Sequence, residues 1–225
     1  MNHLLFYDNF LNEYYDNFYG KIKSYYGSKH RVHELSPKYF TNINKLLTPE
    51  DNKIIDWYTD CGYRHIIEYM VTKKPSFDED KDFDWDKISI ENKISKFEEI
   101  INKSVVKKDV VVWKGLNNYP VRSNNLKNII SKMNIGDNYK FQNFFSTSLC
   151  FQYAVFAFGF DDDSLILKIN VPAGSKAMYI SEIENEVVLQ RNQTIKLKNI
   201  YEYDLGKHFK KHQGKIIKIY EFDLI

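Results

Sequence analysis

The chain changes its hydrophobic period near residue 108, and that change restricts the fold more than any other feature. Before it, apolar residues recur at helical spacing. Tyr7, Leu11, Tyr14 and Phe18 fall at i, i+4, i+7 and i+11 and stop at Gly20, and Ile90, Ile94, Phe97 and Ile101 form one stripe behind a capping Ser89. Ser36-Pro37 and Thr48-Pro49-Glu50-Asp51 each carry an N-cap followed by proline in the first helical turn; the second predicts a long helix through Met70. After residue 108 the runs are short and β-forming. Strands are expected at Val110 to Trp113, Tyr139 to Phe145, Leu165 to Ile169, Glu186 to Leu189, Thr194 to Leu197 and Ile216 to Phe222. One short helix is expected around Leu126, Ile129, Ile130 and Met133, with a turn at Gly136-Asp137. Helices first and strands afterwards argue for an α+β domain, since alternating βαβ units would interleave the two periods.

With 225 residues the chain can bury a full core as one domain, alone or with an appended subdomain. We expect residues 1–47 to form a helical N-terminal extension and residues 48–225 the domain proper. An apolar share of 43% marks a globular chain, and a net charge of only +2 gives no electrostatic reason to expect a nucleic acid or a membrane as partner. No apolar run approaches the roughly 20 residues that cross a bilayer. Met1 to Asp8 lacks the basic and then apolar regions of a secretory signal, so the expected location is the cytoplasm, or a host cytosol after delivery. Cys61 and Cys150 read as buried thiols, with a bridge between them left open. His208 and His212 have no third ligand beside them, and Asp161-Asp162-Asp163 lacks the glycine and distal glutamate of a calcium loop, so no metal is expected. The acidic, aromatic segment Phe77 to Asp86 reads as a solvated connector.

Three β-associated elements carry the chemistry. They are Trp113-Lys114-Gly115, then Phe144-Phe145-Ser146-Thr147-Ser148, then Glu184-Asn185-Glu186 in front of Val187-Val188-Leu189. Two carboxylates at i and i+2 of a strand share one face and repel each other, a cost that makes sense where positive charge develops between them. A basic residue beside glycine suits a phosphate, and small hydroxyls can orient a carboxylate. Together they describe a ligand with phosphates at one end and a leaving group on a sugar at the other. Taken singly each has a plainer reading. The acid pair could be a solvated strand edge, Ser146-Thr147-Ser148 ordinary turn chemistry, and Lys114 a surface charge; Trp113, Phe144, Phe145 and Phe156 read as core.

In that order, the set resembles the arginine-serine-glutamate clade of mono-ADP-ribosyltransferases, which includes the enzymatic components of bacterial binary toxins and arginine-specific ecto-enzymes of vertebrates. The resemblance runs from about Thr48 to Ile225 and is densest over Pro172 to Ile180 and Glu184 to Arg191. It implies a split β core of two packed sheets with N-terminal helices, and NAD as substrate. It also implies transfer of ADP-ribose to a protein acceptor. Glu186 then matches the essential glutamate that steadies the sugar cation. Glu184 matches the upstream acid that serves arginine acceptors, and Ser146 holds Glu186 in place. Lys114, Gly115, Ser146, Thr147 and Ser148 would line the NAD site, Phe151 or Tyr153 would stack on nicotinamide, and Tyr179 and Ser181 would meet the protein substrate.

Lys114 stands where the clade has arginine. A guanidinium grips phosphate with a planar fork, whereas an ammonium offers one mobile charge. Either NAD is held more weakly, by about 1–3 kcal/mol for one charge-assisted bond, or the site has adapted within a chain whose 32 basic residues include only Arg31, Arg64, Arg122 and Arg191 as arginines. Adaptation is the favoured reading, with Arg122 a possible substitute from a loop. NAD hydrolysis without an acceptor, and a binding module that has lost catalysis, are the alternative activities of the same scaffold.

Overall fold

The Thr48-Pro49-Glu50-Asp51 signature folds as its residue types require. The computed structural model describes residues 39–72, 89–116, 123–158, 164–181, 185–205 and 214–225, all within the compact unit Ser36–Ile225. In it Thr48 caps helix α1 (Pro49–Trp57) through a reciprocal box: its hydroxyl accepts from Asp51 N at 3.1 Å, and Asp51 Oδ2 accepts from Thr48 N at 3.0 Å. Thr48→Ala should therefore cost about 1 kcal/mol, read as a lower urea midpoint at unchanged slope.

The long helix expected to reach Met70 is instead two. Helix α1 gives way to a π-type turn over Tyr58–Gly62, after which α2 (Tyr63–Thr72) restarts. The cause is local packing: a Cβ on Gly62 would stand 2.6 Å from the Trp57 ring, so the backbone curls against the indole where only glycine fits. Ser89 caps α3 (Ile90–Asn102) as expected, and its stripe buries Ile94, Phe97, Ile100 and Ile101.

Strands follow: β1 (Val110–Leu116), β2 (Asn138–Lys140), β3 (Phe145–Ser148), β4 (Leu165–Val171), β5 (Ala177–Ser181), β6 (Glu186–Leu189), β7 (Thr194–Asp204) and β8 (Ile216–Leu224). Between them lie α4 (Ser123–Ile130) and α5 (Phe151–Phe158). Met133 falls just beyond α4, and Ile129 is exposed on it. All eight strands are joined in the order β2-β7-β8-β4-β1-β3-β6-β5. The split core takes the form of two segments of this one sheet. Five strands run from β2 to β1 and three from β3 to β5, and the register between β1 and β3 has a single pair, Trp113↔Ser148. Within the larger segment β4 and β8 run parallel and the other neighbours antiparallel.

The single strand expected over Tyr139 to Phe145 is divided between the segments. β2 pairs with β7 and β3 with β6, and the intervening residues cross from one to the other. The division follows from burial. Phe141 and Phe145 stack at 4.7 Å in one cluster, while Phe144 turns into another. The first cluster lies against both segments, with Val112, Leu167, Phe222, Phe145, Val187 and Leu189 at its heart. The second joins the helices to the three-stranded segment through Phe97, Tyr58, Phe144, Met178 and Val188. The third packs Val155 of α5 against Ile166, Ile217 and Ile219.

A polar clasp fixes β6 against the helices. Gln190, buried just past the strand, donates to Glu98 O at 3.1 Å and to Asn102 Oδ1 at 3.0 Å, and Arg191 Nε donates to Glu98 Oε2 at 2.8 Å. The segments around Tyr7 to Gly20, Ser36-Pro37, Phe77 to Asp86, Asp161 to Asp163 and His208 to His212 lie outside the described residues. Among the described residues no helix is long and apolar enough to cross a membrane.

Candidate active site

The seam between the two segments is where the chemistry-bearing residues meet. Because β1 and β3 share a single paired position, their backbones diverge beside it, and carbonyls on the diverging side need donors other than a ladder. Lys114 fills that role: its Nζ donates to Ser146 O at 2.8 Å and sits 4.7 Å from the centre of the Phe145 ring. An ammonium carries three donors, so this bond leaves two for an anion. Burial pushes the Lys114 amine down to about 8, and the negative charge of Glu186 pulls the other way.

Ser146 is held from a second direction. Its Oγ lies 2.9 Å from the hydroxyl of Tyr58, the first residue of the π-type turn. The Tyr58 ring stacks on Phe97 at 4.0 Å and meets Phe144 edge-on at 6.2 Å. Burial, and then the charge of Glu186, raise the Tyr58 phenol far above its ordinary value, so it keeps its proton throughout the physiological range. Glu186 thus acts electrostatically on both groups that clamp Ser146.

Glu186 begins β6, half-buried, and pairs across the ladder with Ser148 while Ser146 pairs with Val188. Paired residues share a face, so Ser146, Ser148 and Glu186 lie on one side of the three-stranded segment, with Phe145, Thr147 and Val187 on the other. Thr147 is buried with its hydroxyl donating to Val187 O at 2.7 Å, and Ser148 Oγ accepts from Cys150 N at 3.0 Å. Both bonds help to hold β3 in shape.

Ahead of Glu186 the backbone leaves the strand. Asn185 has φ of 50°, the left-handed region, and its carbonyl accepts from Leu149 N at 2.9 Å. The alternation that would have put two acids on one strand face therefore ends at Asn185, and Glu184 lies outside the described residues.

The remaining expectations divide. Gly115 sits in β1 opposite Ile166, buried and adjacent to Lys114. Ser181 ends β5 opposite Glu186, past a bulge after Tyr179. Tyr179 pairs with Val187 and so faces away from Glu186, stacking on Phe40 at 6.0 Å within the first cluster. Phe151 lies against Trp113, the β1 residue paired with Ser148. Its ring meets Trp113 at 4.8 Å and Tyr203 at 5.3 Å in the third cluster, where edge contacts with aromatic partners satisfy it. Tyr153 is half-buried in α5, its amide directed at Cys150 Sγ at 3.4 Å. Tyr58 was not foreseen; its contact with Ser146 spans 88 residues, and no local spacing announces it. Among the described residues no three histidine, cysteine or carboxylate side chains gather as a metal site would require.

What stands together is an ammonium, a serine held by its carbonyl and by its hydroxyl, and a carboxylate. That arrangement can hold an anionic group at one end and steady positive charge at the other. The family model described as ADP-ribosyltransferase exoenzyme matches residues 33–219. Solved structures with the same fold include Plx2a, an ADP-ribosyltransferase toxin from Paenibacillus larvae. It is 17% identical at a TM-score of 0.61, covering 86% of this chain and 94% of that one. C3larvin, an ADP-ribosyltransferase toxin also from Paenibacillus larvae, is 18% identical at 0.55, over 80% and 90% of the two chains. BECa, an ADP-ribosylating toxin of a binary enterotoxin of C. perfringens solved with NADH, is 22% identical at 0.56 over 80% of this chain. This chain spans 44% of the length of BECa, under half. No curated protein sequence matches.

Proposed function

Because this chain belongs to the ADP-ribosyltransferase exoenzyme family, whose toxins use NAD as substrate, we propose that it moves ADP-ribose from NAD to a protein side chain and releases nicotinamide. The observation that carries the reading is the meeting of Lys114, Ser146 and Glu186 at the seam, contributed by three strands far apart in sequence. In this scheme the bond between the ribose anomeric carbon and the nicotinamide nitrogen breaks, and its electron pair neutralises the pyridinium. The positive charge left on the sugar is steadied by the Glu186 carboxylate, and the two free donors of Lys114 hold pyrophosphate oxygens. The acceptor nitrogen then forms the new bond and gives up a proton. Glu184, by resemblance to arginine-modifying enzymes, takes that proton from a guanidinium, which makes arginine the proposed acceptor. The place of action is a cytosol, that of the producing cell or of a host.

Incubation with NAD labelled in its adenylate half, in the presence of cell lysate, tests the reading. Label on protein supports transfer. Label only in free ADP-ribose assigns hydrolysis instead, and intact NAD at high enzyme concentration removes both activities and leaves a binding module. Mass spectrometry of the labelled band names the acceptor residue.

Lys114 adds a signed pH effect. Its charged form is the one that attracts phosphate, and that form is lost as pH rises through about 8. Hence kcat/KM for NAD, which reports groups of the free enzyme, should fall above about pH 8, and Lys114→Arg should abolish that alkaline limb. A limb unchanged in the arginine variant would detach Lys114 from NAD binding.

A further inference from the structure

Tyr58 and Ser146 form a pair whose proton direction can be worked out. Either oxygen of the 2.9 Å contact could donate. The Tyr58 ring, however, is packed by Phe97 and Phe144 and meets Tyr63 edge-on, while Glu186 and Tyr63 act on the phenol through their charges and not through a hydrogen bond. Its one polar partner among the described residues is Ser146 Oγ. If Ser146 donated to the phenol, the Tyr58 proton would be buried without an acceptor, at the full cost of an unmade bond. The phenol therefore donates, and Ser146 Oγ accepts. The serine has one proton of its own, and Lys114 engages its carbonyl rather than its hydroxyl. On the same face, one ladder position along, stands Glu186, a diagonal neighbour at a backbone separation of about 7–8 Å that a glutamate side chain can span.

We propose that Tyr58 is a positioning residue for the reaction: by donating to Ser146 it turns the serine proton toward the Glu186 carboxylate and keeps that carboxylate ionised and aimed. This rests on the reading of Glu186 given above, and it assigns the π-type turn a purpose, since that turn is what presents Tyr58 to β3. The other titratable groups facing the site are Lys114 from β1 and Tyr63 from α2, and the Lys114 amine, which titrates at about 8, stays charged in the acid range where a carboxylate titrates.

The test is Tyr58→Phe, which keeps the ring on its Phe97 shelf and deletes only the hydroxyl. In protein carrying carbon-13 glutamate, with the Glu186 resonance assigned by its loss in Glu186→Gln, the carboxyl should titrate roughly half to one pH unit higher in Tyr58→Phe. Ser146→Ala should raise it likewise, and adding Tyr58→Phe to Ser146→Ala should move it no further. In turnover, kcat for NAD cleavage should drop about tenfold at a nearly constant KM, with the acid limb moved in the same direction as the resonance. A Glu186 titration that is the same in wild type and Tyr58→Phe overturns the proposal even where activity falls, and additive shifts in the double variant overturn it too. Should the wild type cleave no NAD, the proposed function fails while the resonance still decides the relay. If Tyr58→Phe does not fold, Ser146→Ala decides in its place, an unmoved Glu186 titration overturning the relay.

Discussion

Glu186→Gln should release nicotinamide at no more than about one-hundredth of the wild-type rate, in line with the 10²–10³ that single electrostatic groups contribute at a transition state. The substitution preserves the shape of the side chain and its place opposite Ser148, and removes only the charge. In the proposed scheme that charge has no large role in holding neutral or anionic parts of NAD, so binding should change far less than turnover. The same charge acts on Lys114, raising its affinity for a proton against the pull of burial. In Glu186→Gln the amine should thus lose its proton at a lower pH than in the wild type, and the alkaline limb of NAD binding should move down with it. Chromatographic assay of nicotinamide and calorimetric titration with NAD measure the two effects, and equal release by variant and wild type would remove Glu186 from the chemistry.

Phe97→Ala should cost about 3–5 kcal/mol of folding stability, a large share of the 5–15 kcal/mol that domains possess. Phe97 is fully buried, forms the shelf for Tyr58 and meets Phe144 edge-on at 4.8 Å, so its loss opens a cavity between the helices and the three-stranded segment. Chemical denaturation measures the cost; a loss below about 1 kcal/mol would mean that the cluster does not close around this ring. The variant should also lose turnover beyond its loss of folded protein, because Tyr58 no longer has a surface that fixes its hydroxyl against Ser146.

Features written in local chemistry were legible in the sequence. The capping of α1 by Thr48 and of α3 by Ser89, the buried stripe of α3, and strands β1, β4 and β6 each follow from a few adjacent residues. The chain order of a basic residue, small hydroxyls and a carboxylate was readable without coordinates too, although Lys114 and Ser146 stand within β1 and β3 and not at their ends. What was not legible depends on contacts between distant parts. The break in the first long helix exists because Gly62 closes on Trp57, and the split of Tyr139 to Phe145 exists because its phenylalanines are claimed by different clusters. β5 reads as a turn when seen alone, since its Ala177 and Met178 show their purpose only once β6 lies beside them. The faces of Tyr179 and Phe151 are set by Phe40, Trp113 and Tyr203. Asn185 gave the one local warning available, for asparagine enters the left-handed region more readily than most residues, and a strand is not safely extended back through it.

The one-position contact between β1 and β3 also bears on how the chain avoids misassembly. A long ladder locks alignment through its many hydrogen bonds, whereas a solitary Trp113↔Ser148 pair would let the two strands slide past each other at small cost. Correct alignment is therefore left to side chains. A slip by one residue would drive Glu186 into the apolar interior now occupied by Val187 and turn Phe145 out of it. The penalty for that error is desolvation of a charge together with exposure of a ring, far larger than a mismatched amide. Glu186, which we assign to the reaction, thus acts together with Phe145 as the key that admits only one alignment of the halves.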